Sequence, residues 1–274
     1  MFYYNKGVAY EELKNLEEAA KMYQLSISYN PFYANSHLKL GNICYQQHLI
    51  AQAMMCLNMY LLLEPEGSHT INVLTFCNNM VAKKNENEKI PTIKISPDDE
   101  SFEEIDLIIN NYAALNDKYK TNNKIELAIV KQNHALFNQL KNYKGNGGFW
   151  DKYYVPFYLF INENKLFDSF AYTICYSVKN EKIKAIVNKN IASIKSFIPV
   201  YEKKWAEIIS IQEDIIDGVK KKVKYSYENQ KIDGYGEYEN GNPVGKWLIY
   251  NSKGEINSIG TFNSNGEKEG DWTW

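Results

Sequence analysis

Cysteine is scarce in this chain. Only Cys44, Cys56, Cys77 and Cys175 occur, with no C-x-x-C pair, so neither a disulfide framework nor a zinc ribbon is indicated and the four read as small buried thiols. Net charge is equally slight: 31 Lys and Arg against 33 Asp and Glu leave -2, which supplies no global field to draw in nucleic acid or an anionic membrane. The apolar stretch Val155 to Ile161 falls far short of the ~18 residues of a spanning helix. The first residues, Met-Phe-Tyr-Tyr-Asn-Lys-Gly, lack the basic start and apolar stretch of a secretion signal. The chain as it stands is therefore expected in the cytoplasm, and in the periplasm or outside the cell if an N-terminal signal has been omitted.

Residues suited to catalysis are few as well. The histidines are His37, His48, His69 and His134, without an H-E-x-x-H or any paired motif, and structural or surface roles are expected for all four. Cys44 and His48 stand at i, i+4 and share a helix face, but no second ligand pair lies nearby, so no metal site is expected. The cluster Gly145-Asn146-Gly147-Gly148 lacks the Gly-Lys-Ser/Thr ending of a phosphate loop and reads as a plain loop. No cofactor and no enzymatic activity are expected.

What the chain does have is an ordinary globular composition, 45% hydrophobic and 23% charged over 274 residues, enough to bury roughly three-quarters of its unfolded surface. Six of its fifteen glycines lie in the first 217 residues and nine in the last 57, a switch to turn-rich sequence that predicts a β module from Gly218. A second break spans Asn85 to Ser101, where Pro91 and Pro97 interrupt any helix. Three segments follow: 1–85, 98–217 and 218–274.

The first segment is periodic at 34 residues: Gly7 returns as Gly41, Ala19 as Ala53 and Pro31 as Pro65. Small residues let paired helices approach and the prolines end them, so each unit is a helical hairpin that must stack on the next. The pattern resembles the tetratricopeptide repeat. Its aromatic, Leu-Gly, Tyr, Ala, aromatic and Pro positions are met by Tyr3, Gly7, Tyr10, Ala19, Tyr23 and Pro31, with Lys6 in place of the leucine. The second unit supplies Leu40, Gly41, Ala53, Leu57 and Pro65, but carries His37 and Cys44 at the first aromatic and the tyrosine positions. A third unit shows one helix, with Ile71 and Leu74 in phase and Thr75 replacing the glycine. Met1 already sits inside the first repeat helix without an N-cap before it, so either further repeats precede it or that helix frays.

The last segment repeats at 25: Gly241 to Gly266, Gly245 to Gly270 and Trp247 to Trp272. Asn-Gly turns between alternating aromatics predict short hairpins, with Tyr238, Trp247, Phe262 and Trp272 on one face. This resembles MORN-like repeats, also found in antitoxin-like bacterial proteins. Tyr225 and Tyr227 start an earlier, degenerate hairpin before Asn229-Gln230.

The middle segment is helical without a repeat. Helices are predicted near Ile125 to Asn142, over Phe149 to Phe160, along the stripe Phe167, Phe170, Ala171, Ile174 and Val178, and from Pro199 to Gly218. Asp98, Asp99, Glu100, Glu103 and Glu104 suit a helix start through the macrodipole. Lys220, Lys221, Lys222 and Lys224 form a local basic patch that best fits a solvated strand edge, with a lipid or phosphate contact as the alternative. Trp150, Tyr154 and Tyr158, one row of the aromatic helix, best fit core packing and otherwise a second partner surface.

The expected fold is thus mainly α with a small C-terminal antiparallel β module. By the tetratricopeptide resemblance, first helices line a concave groove that binds a peptide or partner protein. Its groove-facing positions are Tyr4, Val8 and Glu11, then Asn35, Leu38, Asn42 and Tyr45, then His69, Asn72 and Asn79. The asparagines suit a peptide backbone, and the absence of the family's clamp of lysines and arginine disfavours a C-terminal carboxylate. The leading expectation is a non-enzymatic protein-binding scaffold with the hairpins as a second contact. The alternatives are a membrane-surface adaptor through the hairpins and their lysines, and an enzyme or small-ligand binder with a pocket at Trp150 and Tyr154.

Overall fold

A computed structural model describes residues 1–82, 93–216 and 218–273; of the break expected at Asn85 to Ser101, residues 85–92 lie outside them. The chain divides into two compact units, Met1–Tyr201 and Glu202–Trp274.

The first unit opens with two helical hairpins, α1 (Phe2–Glu12) with α2 (Leu16–Tyr29) and α3 (Ala34–Gln46) with α4 (Ile50–Leu63). Asn15 starts α2 by accepting from the Glu18 N–H at 3.2 Å, and Glu17 and Glu18 in the first turn complement its dipole. The 34-residue period is geometric as well as textual. Lys14 (φ 58°) and His48 (φ 61°) turn the two hairpins in the left-handed conformation. A Cβ on Gly7 would lie 2.6 Å from the Tyr23 ring, and one on Gly41 would lie 2.9 Å from Leu57 Cγ. Tyr23 and Leu57 stand 34 apart like the glycines that face them, so the glycines occupy equivalent contacts.

Neither contact can yield easily: the Tyr23 ring is fully buried and tied to Glu11 at its hydroxyl, and Gly41 faces Leu57 Cγ and, at 3.1 Å, Cys56 Cβ. Gly7→Ala and Gly41→Ala are each expected to push their paired helices apart and cost about 2 kcal/mol by overpacking. Urea unfolding of the two variants checks this.

Downstream run α5 (Thr70–Ala82), α6 (Glu103–Asn110), α7 (Ala128–Leu140), α8 (Val155–Glu163), α9 (Phe167–Ile174), α10 (Glu181–Lys189) and α11 (Ile191–Ser210). They do not form a separate middle domain. Every residue of α4 from Ile50 to Leu62 is buried, and a helix that is apolar all round needs cover on every side. α5, α6 and α9 pack on it. Asn58 and Asn133 exchange amide hydrogen bonds at 2.7 and 3.1 Å to tie α4 to α7. The first turn of α4 has no side-chain cap of its own. Asp106 of α6 supplies one by accepting from the Ala51 N–H at 2.7 Å, and burial pushes its carboxyl up to about 8. α5 packs against α7. No helix among the described residues is long and apolar enough to cross a membrane.

α11 corrects the expected helix from Pro199 to Gly218. It begins at Ile191, carries Pro199 inside and ends at Ser210. Proline forfeits one backbone hydrogen bond, but Ile194, Phe197, Tyr201 and Trp205 form a buried row along the helix that holds it together.

The β module likewise begins before Gly218. Its strands are β1 (Ile211–Ile216), β2 (Val219–Glu228), β3 (Lys231–Glu239), β4 (Asn242–Tyr250), β5 (Ile256–Phe262) and β6 (Lys268–Thr273), an antiparallel meander in sequence order. Asn229-Gln230 (φ 48° and 64°) and Asn240-Gly241 (φ 48° and 91°) make two-residue turns with both central φ positive, the hand that matches strand twist. β2 lies inside the sheet, so its lysines do not guard an edge. Lys220 pairs with Glu213 at 2.6 Å, Lys221 with Glu237 at 2.8 Å, and Lys224 lies 4.8 Å from the Tyr238 ring centre. On one face Trp247, Phe262 and Trp272 meet edge to face at 5.7 and 5.2 Å. Trp247 lies over Gly236 and Trp272 over Gly260, where a Cβ would fall within 2.4 and 2.1 Å of the indoles.

Candidate functional site

The expected groove positions lie on α1, α3 and α5, with His69 just ahead of the last, and none of them is buried. Tyr4 is half-exposed, edge-on to Tyr33 at 5.0 Å and tilted against Tyr23 at 5.8 Å. Tyr45 meets Phe76 of α5 edge-on, also at 5.0 Å. Asn35 is exposed and reaches Tyr33 Oη at 3.4 Å, a weak bond at that length. Val8, Leu38 and Asn42 are half-exposed, and His69, Asn72 and Asn79 are exposed.

Glu11 departs from the expected role. It accepts a hydrogen bond from Tyr23 Oη and pairs with Lys39 at 2.9 Å. Its carboxylate is committed to joining the first hairpin to α3 and is not free for a ligand. That pair is closed, while exposed Lys6, 5.9 Å from the Tyr10 ring centre, keeps its positive charge. What remains on the face is aromatic and amide. The side chains of Asn42, Asn72 and Asn79 make no hydrogen bond to any described residue. Asn35 and Asn42 are seven residues apart on α3, as are Asn72 and Asn79 on α5. Seven residues is nearly two helical turns, so each pair lies along one face of its helix.

Sequence reasoning missed Tyr33 and Phe76. Phe76 was legible, since it stands four residues after Asn72 and shares its face. Tyr33 lies ahead of α3, where helical periodicity has no reach.

The second candidate surface is corrected outright. Trp150, Tyr154 and Tyr158 are all completely buried, and every polar tip is used. Trp150 Nε1 donates to Asp99 Oδ1 at 2.6 Å, Tyr154 Oη lies 2.6 Å from His37 Nδ1, and Tyr158 Oη donates to the Met55 carbonyl at 2.6 Å. The row starts on one π-helical turn, Trp150–Tyr154, that runs into α8, and Tyr154 and Tyr158 reach α3 and α4 through His37 and Met55.

The acidic run stands at helix starts as expected, Asp99 and Glu100 in the first turn of a short 3-10 helix and Glu103 and Glu104 in the first turn of α6, and two of its members do more. Asp99 Oδ2 accepts from the Ile95 and Ser96 N–H groups at 2.7 and 2.8 Å. Asp98 accepts from the Asp151 N–H at 2.7 Å and from Ser96 Oγ, and burial raises its carboxyl above the usual range. The two acids clamp the aromatic turn. Glu100, Glu103 and Glu104 stay exposed.

His37, buried between Tyr154 and the Pro31 carbonyl at 2.9 Å, is pushed down to about 4 by that burial. The ring is therefore neutral at pH 7, its Nε2–H donating to Pro31 and its Nδ1 accepting from Tyr154. Cys44 is fully buried and His48 sits in the turn after α3. Among the described residues no three His, Cys, Asp or Glu side chains gather as a metal-binding group. No protein-family model, curated protein or solved structure matches this chain.

Proposed function

We propose that the Met1–Tyr201 unit is a non-enzymatic scaffold, a stack of tetratricopeptide type, and that its α1–α3–α5 face binds an extended peptide segment of a partner protein. The sheet is read as MORN-like on the same footing, from its 25-residue period. The observation that carries the proposal is the set of side-chain amides at Asn42, Asn72 and Asn79, solvent-facing and without a protein partner among the described residues. Each amide offers two donors and an acceptor, enough to pair with both the N–H and the C=O of an extended main chain. Aromatic edges at Tyr4, Tyr33, Tyr45 and Phe76 supply apolar contact with little side-chain entropy to lose.

Panning a displayed library of random linear peptides against the full chain tests this. Peptides recovered on the wild type are expected to bind Asn42→Ala/Asn79→Ala about tenfold or more weakly, from two lost hydrogen-bonding amides. Asn79 is exposed and Asn42 half-exposed, and neither amide bonds a described residue, so the variant keeps its fold. Undiminished binding by that variant would place the peptide site elsewhere.

A further inference from the structure

The strands of the sheet share a local pattern, glycine, any residue, aromatic: Gly236-Glu237-Tyr238, Gly245-Lys246-Trp247, Gly260-Thr261-Phe262 and Gly270-Asp271-Trp272. Between β4 and β5 the pattern pairs with itself. Gly245 stands opposite Phe262, Lys246 opposite Thr261, and Trp247 opposite Gly260. Each bulky ring thus has a bare glycine across from it, and Trp247 has one on both sides, since Gly236 faces it from β3.

β6 repeats β4 in geometry as well as sequence. Gly270 (φ 67°) matches Gly245 (φ 60°). The register shift on the inner side of β6, between Ile259 and Thr261, matches the shift between Gly236 and Glu237 on the inner side of β4. The outer side of β6 therefore corresponds to the regular side of β4, the one that receives β5. Among the described residues it has no strand beside it. Trp272 has its glycine on the inner side only, and a Cβ at Gly270 would meet nothing within 4 Å.

We propose that this edge docks a second copy of the same chain, β6 against β6, about a two-fold axis through Asp271. In that antiparallel register Gly270 of each copy lies opposite Trp272 of the other, so the second β6 presents the glycine, any residue, aromatic pattern that β5 presents to β4. The contact is self-complementary, as an isologous interface requires. Like charges directly opposite destabilise a strand pair, and here Asp271 meets Asp271 on the axis. Two short strands also bury less than the roughly 1,200 Å² of a standard interface. The dimer is accordingly weak and concentration-dependent.

The facing aspartates make the register testable. Sedimentation velocity of the full chain over a concentration series is expected to show a monomer–dimer equilibrium. Asp271→Lys alone, with lysine facing lysine, is expected to dimerise as weakly as the wild type. An equimolar mixture of the two is expected to associate about fivefold more tightly, because unlike charges then meet across the axis, and added salt is expected to erode that gain. Asp271 is exposed, so the exchange leaves the fold intact. A chain that stays monomeric at every concentration, or a dimer indifferent to the charge exchange, overturns the proposal.

Discussion

Trp150→Ala is expected to lower the free energy of unfolding by about 4 kcal/mol, the range for emptying a fully buried aromatic site. The indole is wholly buried and packs edge-on against Phe149 at 5.2 Å and tilted against Tyr154 at 5.4 Å. Its Nε1–H also donates to Asp99 Oδ1 at 2.6 Å, a hydrogen bond to a carboxylate and so one of the strong kind. Removing the indole leaves both a cavity and a buried carboxylate stripped of one donor. Trp150→Phe separates the two effects, because it retains most of the ring and loses only the bond, for about 2 kcal/mol. With total stabilities of about 5–15 kcal/mol, the alanine variant sits near the edge of folding. Urea unfolding followed by far-ultraviolet circular dichroism measures both. If the alanine variant loses no more than the phenylalanine variant, the indole is not the packing anchor its burial indicates.

The second large effect is acid destabilisation through His37. Burial holds its folded pKa at about 4, against ~6.5 for a histidine in an unfolded chain. Between those values the unfolded chain binds the proton and the folded one does not, so stability falls as pH drops from about 6.5 to about 4 and is intact above that window. The shift corresponds to about 3 kcal/mol. Asp106 acts with the opposite sign. Its folded carboxyl sits at about 8 and its unfolded one near ~3.9, so its contribution is present at low pH and is lost as pH rises through that range. The two slopes overlap between pH 4 and 6.5 and partly hide each other in the wild type. Comparison with His37→Leu removes the overlap, since Asp106 is common to both proteins. The variant is less stable at pH 7, where Tyr154 Oη and the Pro31 carbonyl lose their hydrogen bonds to the imidazole, but the gap is expected to close as pH falls to 4. A gap of constant width would mean that His37 binds its proton equally in the folded and unfolded chain, so that burial does not lower it.

Both effects centre on contacts between residues far apart in the chain, and the same division runs through the whole protein. The 34-residue spacing of Gly7 with Gly41, Ala19 with Ala53 and Pro31 with Pro65 determined the two hairpins, because close helix approach and helix termination depend on single residues acting locally. The 25-residue spacing of Gly245 with Gly270 and Trp247 with Trp272 determined the repeating hairpins for the same reason: a turn and a glycine opposite an indole are short-range requirements. The groove positions followed from the tetratricopeptide resemblance, which placed Asn42, Asn72 and Asn79 on an open face before any contact was known.

Tertiary structure decided whatever depends on who covers whom. α4 reads from its 34-residue period as one more repeat helix, yet its burial on every side draws the middle segment onto the hairpins and abolishes a separate domain. Glu11 was a groove residue by position and became a structural ion-pair partner only because Lys39 and Tyr23 arrive from other helices. Trp150, Tyr154 and Tyr158 carry the composition of either a binding surface or a core. Asp99, His37 and the Met55 carbonyl, each more than 50 residues away in sequence, fill their polar valences and settle them as core. Periodicity reports which side chains share a face; only the folded chain determines what that face meets, because burial and hydrogen bonding are properties of the pair and not of the residue.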